Sequence, residues 1–508
     1  MSVVIAIDAG TTGVRSRAIF TDGRASVSSY VEFPQYFPQP GWVEHDALEI
    51  LFAVRQTLSD VIAQLATLPD ANIVTIGITN QRETIVAWDK STGIPFGRAI
   101  VWQDRRTAER CTELLPMLST VRSITGLVLD PYFSGSKVQW MIKSGQAPRS
   151  ADLAVGTIDS WIIWNLTAAK SFVTDPSNAS RTMLFDINNM HWSEQMCDTF
   201  DVPLASLPTV VPSSGRCGVT QGYTSTNDKA AKTAIATINI PADIPISGIA
   251  GDQQAALFGQ ACFDVGSSKN TYGTGSFVLM NVGTECPPPT DGMLTTVAWD
   301  LGTGKPTYAL EGSIFVTGSA IQWLRDGLNI IDNAAQVGPL AASVANSGGV
   351  VVVPAFTGLG SPWWDPYARG IICGITRGTT RAHIARAVVQ SMTFQTRDVV
   401  EAMVRATGVP LIDMRVDGGA AVMDMMLQMQ ADQLGVTVVR PKDLETTALG
   451  AAYLAGLAEG VFPTLQSITE TWQLDRTFTP EPSPTTDSEY ALWSRAVQRS
   501  LNWAQDSH

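Results

Sequence analysis

The 508-residue sequence predicts an α/β protein of two domains built on one plan. Three observations lead there. Short apolar runs alternate with stretches of helical periodicity, the pattern of strands covered by helices. The chain opens on a strand, a glycine turn and a second strand, and repeats that opening past its midpoint. Finally, 45% hydrophobic against 16% charged residues, with 42 Gly and 28 Pro, is the composition of a chain that buries a sizeable core. A chain of this length holds about two to four domains. The duplicated opening selects two, residues 1–255 and 256–508.

The elements follow in order. Val3-Val-Ile-Ala-Ile7 reads as a buried strand. Arg17-Ala-Ile-Phe20 and Ser26 to Val31 continue as antiparallel strands around Thr21-Asp22-Gly23, a hairpin turn signal. A helix over Ala47 to Leu65 and a strand over Ile73 to Thr79 come next, and Gln254 to Gly259 reads as a helix leading across to the second domain. There, Ser267 to Met280 sets β-rich flanks around Gly273-Thr-Gly275, echoing Asp8-Ala-Gly-Thr-Thr-Gly13. Thr380 to Thr407 has helical spacing and stops at Gly408-Val-Pro410. Leu449 to Gly456 reads as a helix whose small residues admit another backbone, and the tail from Asp487 as a packed helix with Trp493, Ala496 and Ser500 or Trp503 on one face. Residues 220–242, rich in Thr, Ala and Asn, read as a surface insertion.

Charge narrows the class of ligand. Thirty-four basic against 47 acidic residues leave a net charge of -13. That balance argues against a nucleic-acid partner, because phosphate backbones demand basic surface. A nucleotide stays open, held by backbone N–H groups and a metal ion. No apolar run approaches the roughly 20 residues of a membrane span, and the opening segment lacks the basic region of a signal peptide. The six cysteines form no CxxC pair and read as free thiols in a reducing cytoplasm.

The chain has no G-x-x-x-x-G-K-[ST] loop, no G-x-S-x-G elbow and no H-E-x-x-H. Asp8-Ala-Gly-Thr-Thr12 is either an ordinary hairpin turn or a loop whose N–H and hydroxyl groups surround phosphates while Asp8 holds hydrated Mg²⁺. Gly273-Thr-Gly275 and Val416-Asp-Gly-Gly-Ala420 offer the same choice. Three glycine turns, each after a strand, suit a nucleotide held between two domains. Asp252 in Gly248-Ile-Ala-Gly-Asp-Gln-Gln254 reads as a catalytic carboxylate without a neighbouring cation, or as a helix N-cap. Phosphoryl transfer to an alcohol needs such a base. Gln81-Arg82-Glu83 is either a solvated ion pair or, at a strand's carboxyl end, a pair for polyol hydroxyls. Trp102, Tyr132 and Phe277 are core or site.

Longer ordered segments add to this: Pro40-Gly-Trp-Val-Glu-His-Asp46, Gly77 to Thr84, Thr174 to Met183, Ile246 to Gln254, Lys269 to Gly275 and Pro354 to Trp363. With Asn80-Gln-Arg-Glu83 and Asp130-Pro-Tyr-Phe-Ser-Gly135, the chain from Ile5 to about Trp503 resembles the FGGY carbohydrate kinases, on the glycerol rather than the pentulose side. The resemblance implies two actin-, Hsp70- and hexokinase-like (ribonuclease H-like) domains closing on ATP and glycerol. It implies ATP-dependent formation of sn-glycerol 3-phosphate by a cytoplasmic homodimer or homotetramer. By matching positions, Arg82, Glu83, Tyr132, Asp252 and Gln253 would meet the glycerol hydroxyls, and Trp102 and Phe277 the carbon chain. Thr11, Thr12, Gly13, Arg15 and Thr274 match phosphate positions, and Gly318, Gln322 and Gly419 match positions near the nucleotide. Asp8 and Asp252 match the Mg²⁺ side, with Asp252 also the base.

Two departures stand out. Met423 occupies the position of an Asn near adenine, with Asp424 next to it as the substitute acceptor. Asn227 to Ile244 replaces a fructose bisphosphate loop found in some members, so that regulation is not implied. Other readings are a different sugar or polyol kinase, a silent sensor and an actin-like filament or chaperone ATPase. Asp8, Thr274 and Asp252 speak against the sensor, and Arg82, Glu83 and Trp102 against the filament.

Overall fold

The computed structural model describes residues 1–68, 70–225, 237–481 and 483–505. Two mixed sheets organise the chain. The first runs Ser214–Ser225, Ile238–Gly251, Asn72–Asn80, Ser2–Ala9, Gly13–Phe20, Val27–Glu32. The second runs Leu294–Trp299, Thr307–Ile314, Ser276–Gly283, Ser267–Tyr272, Asp413–Asp417, Thr437–Pro441, Leu474–Phe478. The duplicated opening has the same topology in each. Ser2–Ala9 pairs antiparallel with Gly13–Phe20 and parallel with Asn72–Asn80. Ser267–Tyr272 pairs antiparallel with Ser276–Gly283 and parallel with Asp413–Asp417.

The first strand is apolar from Val3 to Ile7 because both its faces are covered. Val3, Ile5 and Ile7 turn to the core under helix Ala47–Leu65, where Ile50, Val54, Leu58 and Val61 meet them. Val4 and Ala6, on the opposite face by the two-residue period of a strand, pack with Leu257, Phe258, Ala451 and Ala452. Asp46 caps that helix by accepting from the Leu48 N–H at 2.8 Å. The long helix Arg381–Thr407 starts in a Thr380–His383 capping box and stops at Gly408, whose φ of 69° few other residues adopt.

Helix Thr446–Ala458, from the C-terminal half, lies on the first sheet and against helix Asp252–Gly259. Glycines make this possible. A Cβ on Gly77 would sit 2.0 Å from the Ala451 carbonyl oxygen, and one on Gly450 would sit 1.8 Å from that of Ala255. Around this seam Arg17 clamps Asp443 with bonds of 2.9 and 2.5 Å.

The segment at 220–242 needs correction. Its flanks are regular strands of the first sheet, with Tyr223 opposite Ile240, because alternate residues there meet the core. Residues 226–236, which hold most of the segment replacing the bisphosphate loop, lie outside the described residues. In the tail, Trp493, Ala496, Val497 and Ser500 form the buried face, while Trp503 is 65% exposed because the helix ends at Ser500. No helix among the described residues is long and apolar enough to cross a membrane.

Candidate active site

Parallel pairing builds the site. Ala9, Asn80 and Gly251 end their strands in register, so the segments after them converge: Gly10 to Thr12, Gln81 to Glu83, and Asp252 to Gln253. Glu83 has φ 61°, a left-handed conformation that a non-glycine residue adopts at a cost of about 1–3 kcal/mol. Ser134 Oγ anchors its carbonyl at 2.8 Å.

Arg82 and Glu83 are not a solvated pair. They are 2% and 1% exposed and belong to a buried ionic array. Glu311, fully buried, accepts from Arg82 Nη1 at 2.5 Å and Nη2 at 3.2 Å, and from Arg181 Nη2 at 2.8 Å. Arg181 Nε donates to Glu83 Oε1 at 2.7 Å. Burial works against the Glu311 charge, yet Arg181 and Arg82 overcome it and hold the carboxyl down at about 2. Arg181 lies unremarked inside the Thr174 to Met183 segment, and no motif marks Glu311. The one signal was an acid inside the apolar run Tyr308-Ala-Leu-Glu-Gly312, where an unpaired charge would be expelled.

Asp252 does have cations beside it, brought by the fold rather than by sequence neighbours. Arg82 Nε lies 3.2 Å from its Oδ1, and Lys269 contributes a second positive charge. The helix cap is Gly251, with Asp252 the first helical residue. Its Oδ1 also accepts from the Gln253 N–H at 2.8 Å. Both contacts fall on Oδ1, so Oδ2 has no hydrogen-bond partner among the described residues, and the side chain stays 29% exposed. Burial raises the Asp252 pKa while Arg82 and Lys269 oppose the rise. Lys269, itself buried, donates to Thr271 Oγ1 at 2.9 Å and to Gln253 Oε1, and burial pulls it down to about 8.

Three aromatic rings border this array. Tyr132 Oη is 3.5 Å from Arg82 Nη2, and its ring meets that of Trp102 edge-on at 5.5 Å. Phe277 lies 5.9 Å from the Arg82 guanidinium. The seven polyol-side residues thus come from five separate segments into one neighbourhood.

On the phosphate side, Trp102 Nε1 donates to Thr11 Oγ1 at 3.1 Å, while Thr12 is exposed. Gly13 opens the second strand, where a Cβ would fall 2.6 Å from Tyr30 Oη. Arg15 has a partner that sequence neighbours did not suggest: Glu445, at 3.0 Å. Asp8 is pushed up to about 7 by burial and by the charges of Asp252 and Glu445, against Arg15. Two hard carboxylates that repel each other suit a divalent cation, and Mg²⁺ commonly takes one or two carboxylates with phosphate and water. Among the described residues no group of three or more His, Cys, Asp or Glu could hold a metal ion.

A cavity of about 720 Å³ opens beside the second sheet, and Thr274, Gly318, Gln322, Gly419 and Met423 all line it. The Gly273–Gly275 turn is held by bonds from Thr317 N to Thr274 O and Gly318 N to Gly273 O, at 3.0 and 3.1 Å. Gly418, at φ 86°, leaves no room for a Cβ against the Tyr272 carbonyl 2.4 Å away. Around Met423 the wall is apolar, with Val337, Pro339 and Val422. Asp424 also lines this cavity, with Arg440 on its Oδ1 at 2.7 Å and Arg476 on its Oδ2.

Residues 3–259 match the N-terminal domain, and 268–459 the C-terminal domain, of the FGGY family of carbohydrate kinases. Glycerol kinase 2 of Thermotoga maritima is 51% identical over 99% of each chain. Glycerol kinase of Dechloromonas aromatica is 50% identical over 99% of this chain and 98% of its own. Among solved structures, Plasmodium falciparum glycerol kinase with ADP superposes with a TM-score of 0.90 at 34% identity, covering 99% of this chain and 98% of that one. With near-complete coverage by relatives at half identity, and both halves matched by the family's two domains, the chain belongs to the FGGY family of carbohydrate kinases.

Proposed function

We propose that the chain transfers the γ-phosphoryl group of ATP to a terminal hydroxyl of glycerol, giving sn-glycerol 3-phosphate and ADP. The observation that carries this reading is Asp252 Oδ2, without a hydrogen-bond partner among the described residues, beside a buried Arg82–Glu83 pair bordered by Trp102, Tyr132 and Phe277. Paired charges at one end and aromatic rings along the side suit a short polyol. The relatives named glycerol kinase support the same substrate.

Arg82 donates to, and Glu83 accepts from, the glycerol hydroxyls, with Tyr132 and Gln253 completing the polar wall. Trp102 and Phe277 pack on the carbon chain and exclude water. Asp252 Oδ2 takes the proton of the reacting hydroxyl as its oxygen attacks the γ-phosphorus. The bond from that phosphorus to the bridging oxygen breaks, and ADP leaves. Thr11 to Gly13, Arg15 and Thr274 hold the phosphates, for which Arg15 exchanges Glu445. Gly318, Gln322, Gly419 and Met423 surround the nucleoside. Asp8 and Asp252 would hold Mg²⁺, which when bound would neutralise charge on the phosphate oxygens.

Residues 1–255 supply most polyol groups and the first phosphate turn, and 256–508 the nucleotide cavity. The cytoplasm fits six unpaired cysteines. The test is ADP release with glycerol, erythritol, dihydroxyacetone and xylulose. Glycerol should give the highest kcat/KM; an equal or higher value for xylulose would overturn the substrate assignment.

A further inference from the structure

Glu311 lies on Thr307–Ile314 of the second sheet, whereas Arg82 follows a strand of the first sheet and Arg181 follows helix Pro176–Ala179. One fully buried carboxylate therefore ties two guanidinium groups from the other half of the molecule. We propose that Glu311, together with Arg181, is the positioning pair of the polyol site: Glu311 holds the two Nη atoms of Arg82 off Asp252 Oδ2 and Arg181 holds Glu83, so that the site forms only when the two halves are joined.

The carboxylates of this array compete for its cations. Two guanidinium groups face three carboxylates: Glu83, Glu311 and Asp252. Arg82 directs both Nη atoms to Glu311 and only Nε toward Asp252, at 3.2 Å. Arg82 Nη1 also donates to Gln254 Oε1 at 3.3 Å and Nη2 to Tyr132 Oη at 3.5 Å, both neutral; without Glu311 the carboxylates left beside the guanidinium are Asp252 and Glu83. Arg82 would then turn onto Asp252 and cover the free Oδ2. Arg181 would lose one of its two carboxylate partners, and its buried Nη1 has no hydrogen-bond partner among the described residues. Glu83, at its strained φ of 61°, would lose the fixed guanidinium that aims its carboxylate. Glu311 touches neither reacting atom, and acts through Arg82 and Arg181.

This inference rests on the polyol reading above, and the test separates the two. Wild-type activity across the polyol panel tests that reading, and the variants are compared with wild type on its best polyol. Glu311→Gln should lower kcat/KM for the polyol about 10- to 100-fold, the range for a lost charged hydrogen bond, with the ATP KM within about twofold. Arg181→Gln should lose a similar factor. The double variant restores the net charge of the array, so its loss should fall at least about fivefold short of the product of the two single losses. Should Glu311→Gln not fold, Glu311→Asp decides. It keeps the charge but cannot reach both guanidinium groups, and should raise the polyol KM about tenfold at unchanged ATP KM. A polyol kcat/KM within about threefold of wild type, parallel rises in both KM values, or strictly multiplied losses in the double variant would each overturn the proposal.

Discussion

Asp252→Asn offers the sharpest test of the chemistry, because the geometry dictates how the amide must sit. The Gln253 N–H donates to Oδ1 at 2.8 Å, and the Arg82 guanidinium pairs with the same oxygen, its Nε 3.2 Å away. The amide NH₂ cannot face them, so the carbonyl oxygen takes that place and the NH₂ takes the position of Oδ2. A hydrogen-bond donor then meets the substrate hydroxyl where a proton acceptor stood. Losing a positioned general base commonly costs about 10²–10⁴-fold, or roughly 3–5 kcal/mol of barrier. The glycerol KM should rise only modestly, since Arg82 and Glu83 keep their partners in Glu311 and Arg181. Turnover is followed by ADP release coupled to NADH oxidation, at saturating glycerol and ATP and across a Mg²⁺ series. A kcat within about threefold of wild type would sink the base assignment. So would a loss that added Mg²⁺ fully restores, which would put Asp252 on the metal alone.

The other predictions concern recognition and stability. Glu83→Ala removes a hydroxyl acceptor and the Arg181 partner, a loss of about 1–3 kcal/mol that should raise the glycerol KM roughly tenfold or more while the ATP KM stays near its value; equal effects on both would mean a folding defect. Met423→Asn places a donor and an acceptor in an apolar wall, so the ATP-to-GTP ratio of kcat/KM should rise about a few-fold to tenfold, and an unchanged ratio would show that this position does not read the base. Glu311 is held at about 2 in the fold against its usual 4.5, so its contribution is complete above 4.5 and disappears as pH falls toward 2, up to about 3 kcal/mol. Urea midpoints of wild type and Glu311→Gln should therefore lie further apart at about pH 5 than at about pH 3, and a constant gap would refute that account.

Local physics made much of the fold legible in the sequence. Val3 to Ile7 declares a buried strand by its unbroken apolar run, and Thr380 and Gly408 declare the ends of a long helix by capping chemistry that acts within a few residues. The two glycine turns after matching strands announced a duplicated topology, and the long motifs carried the family. Even the close backbone seam was visible as small residues around Gly450. What the sequence by itself could not determine is which charges face one another. Arg82 with Glu83 read as either a solvated pair or a polyol pair, and Asp252 as a carboxylate without a cation, because sequence shows only covalent neighbours. Parallel pairing of strands far apart in the chain brings Ala9, Asn80 and Gly251 to one edge, and the seam then sets Glu311 against Arg82 across 229 positions. Coulomb energy and desolvation depend on separation and burial through space. So the free oxygen of Asp252, the occupied carboxylate of Asp424 and the clamp at Glu311 were decided only when the two halves packed together.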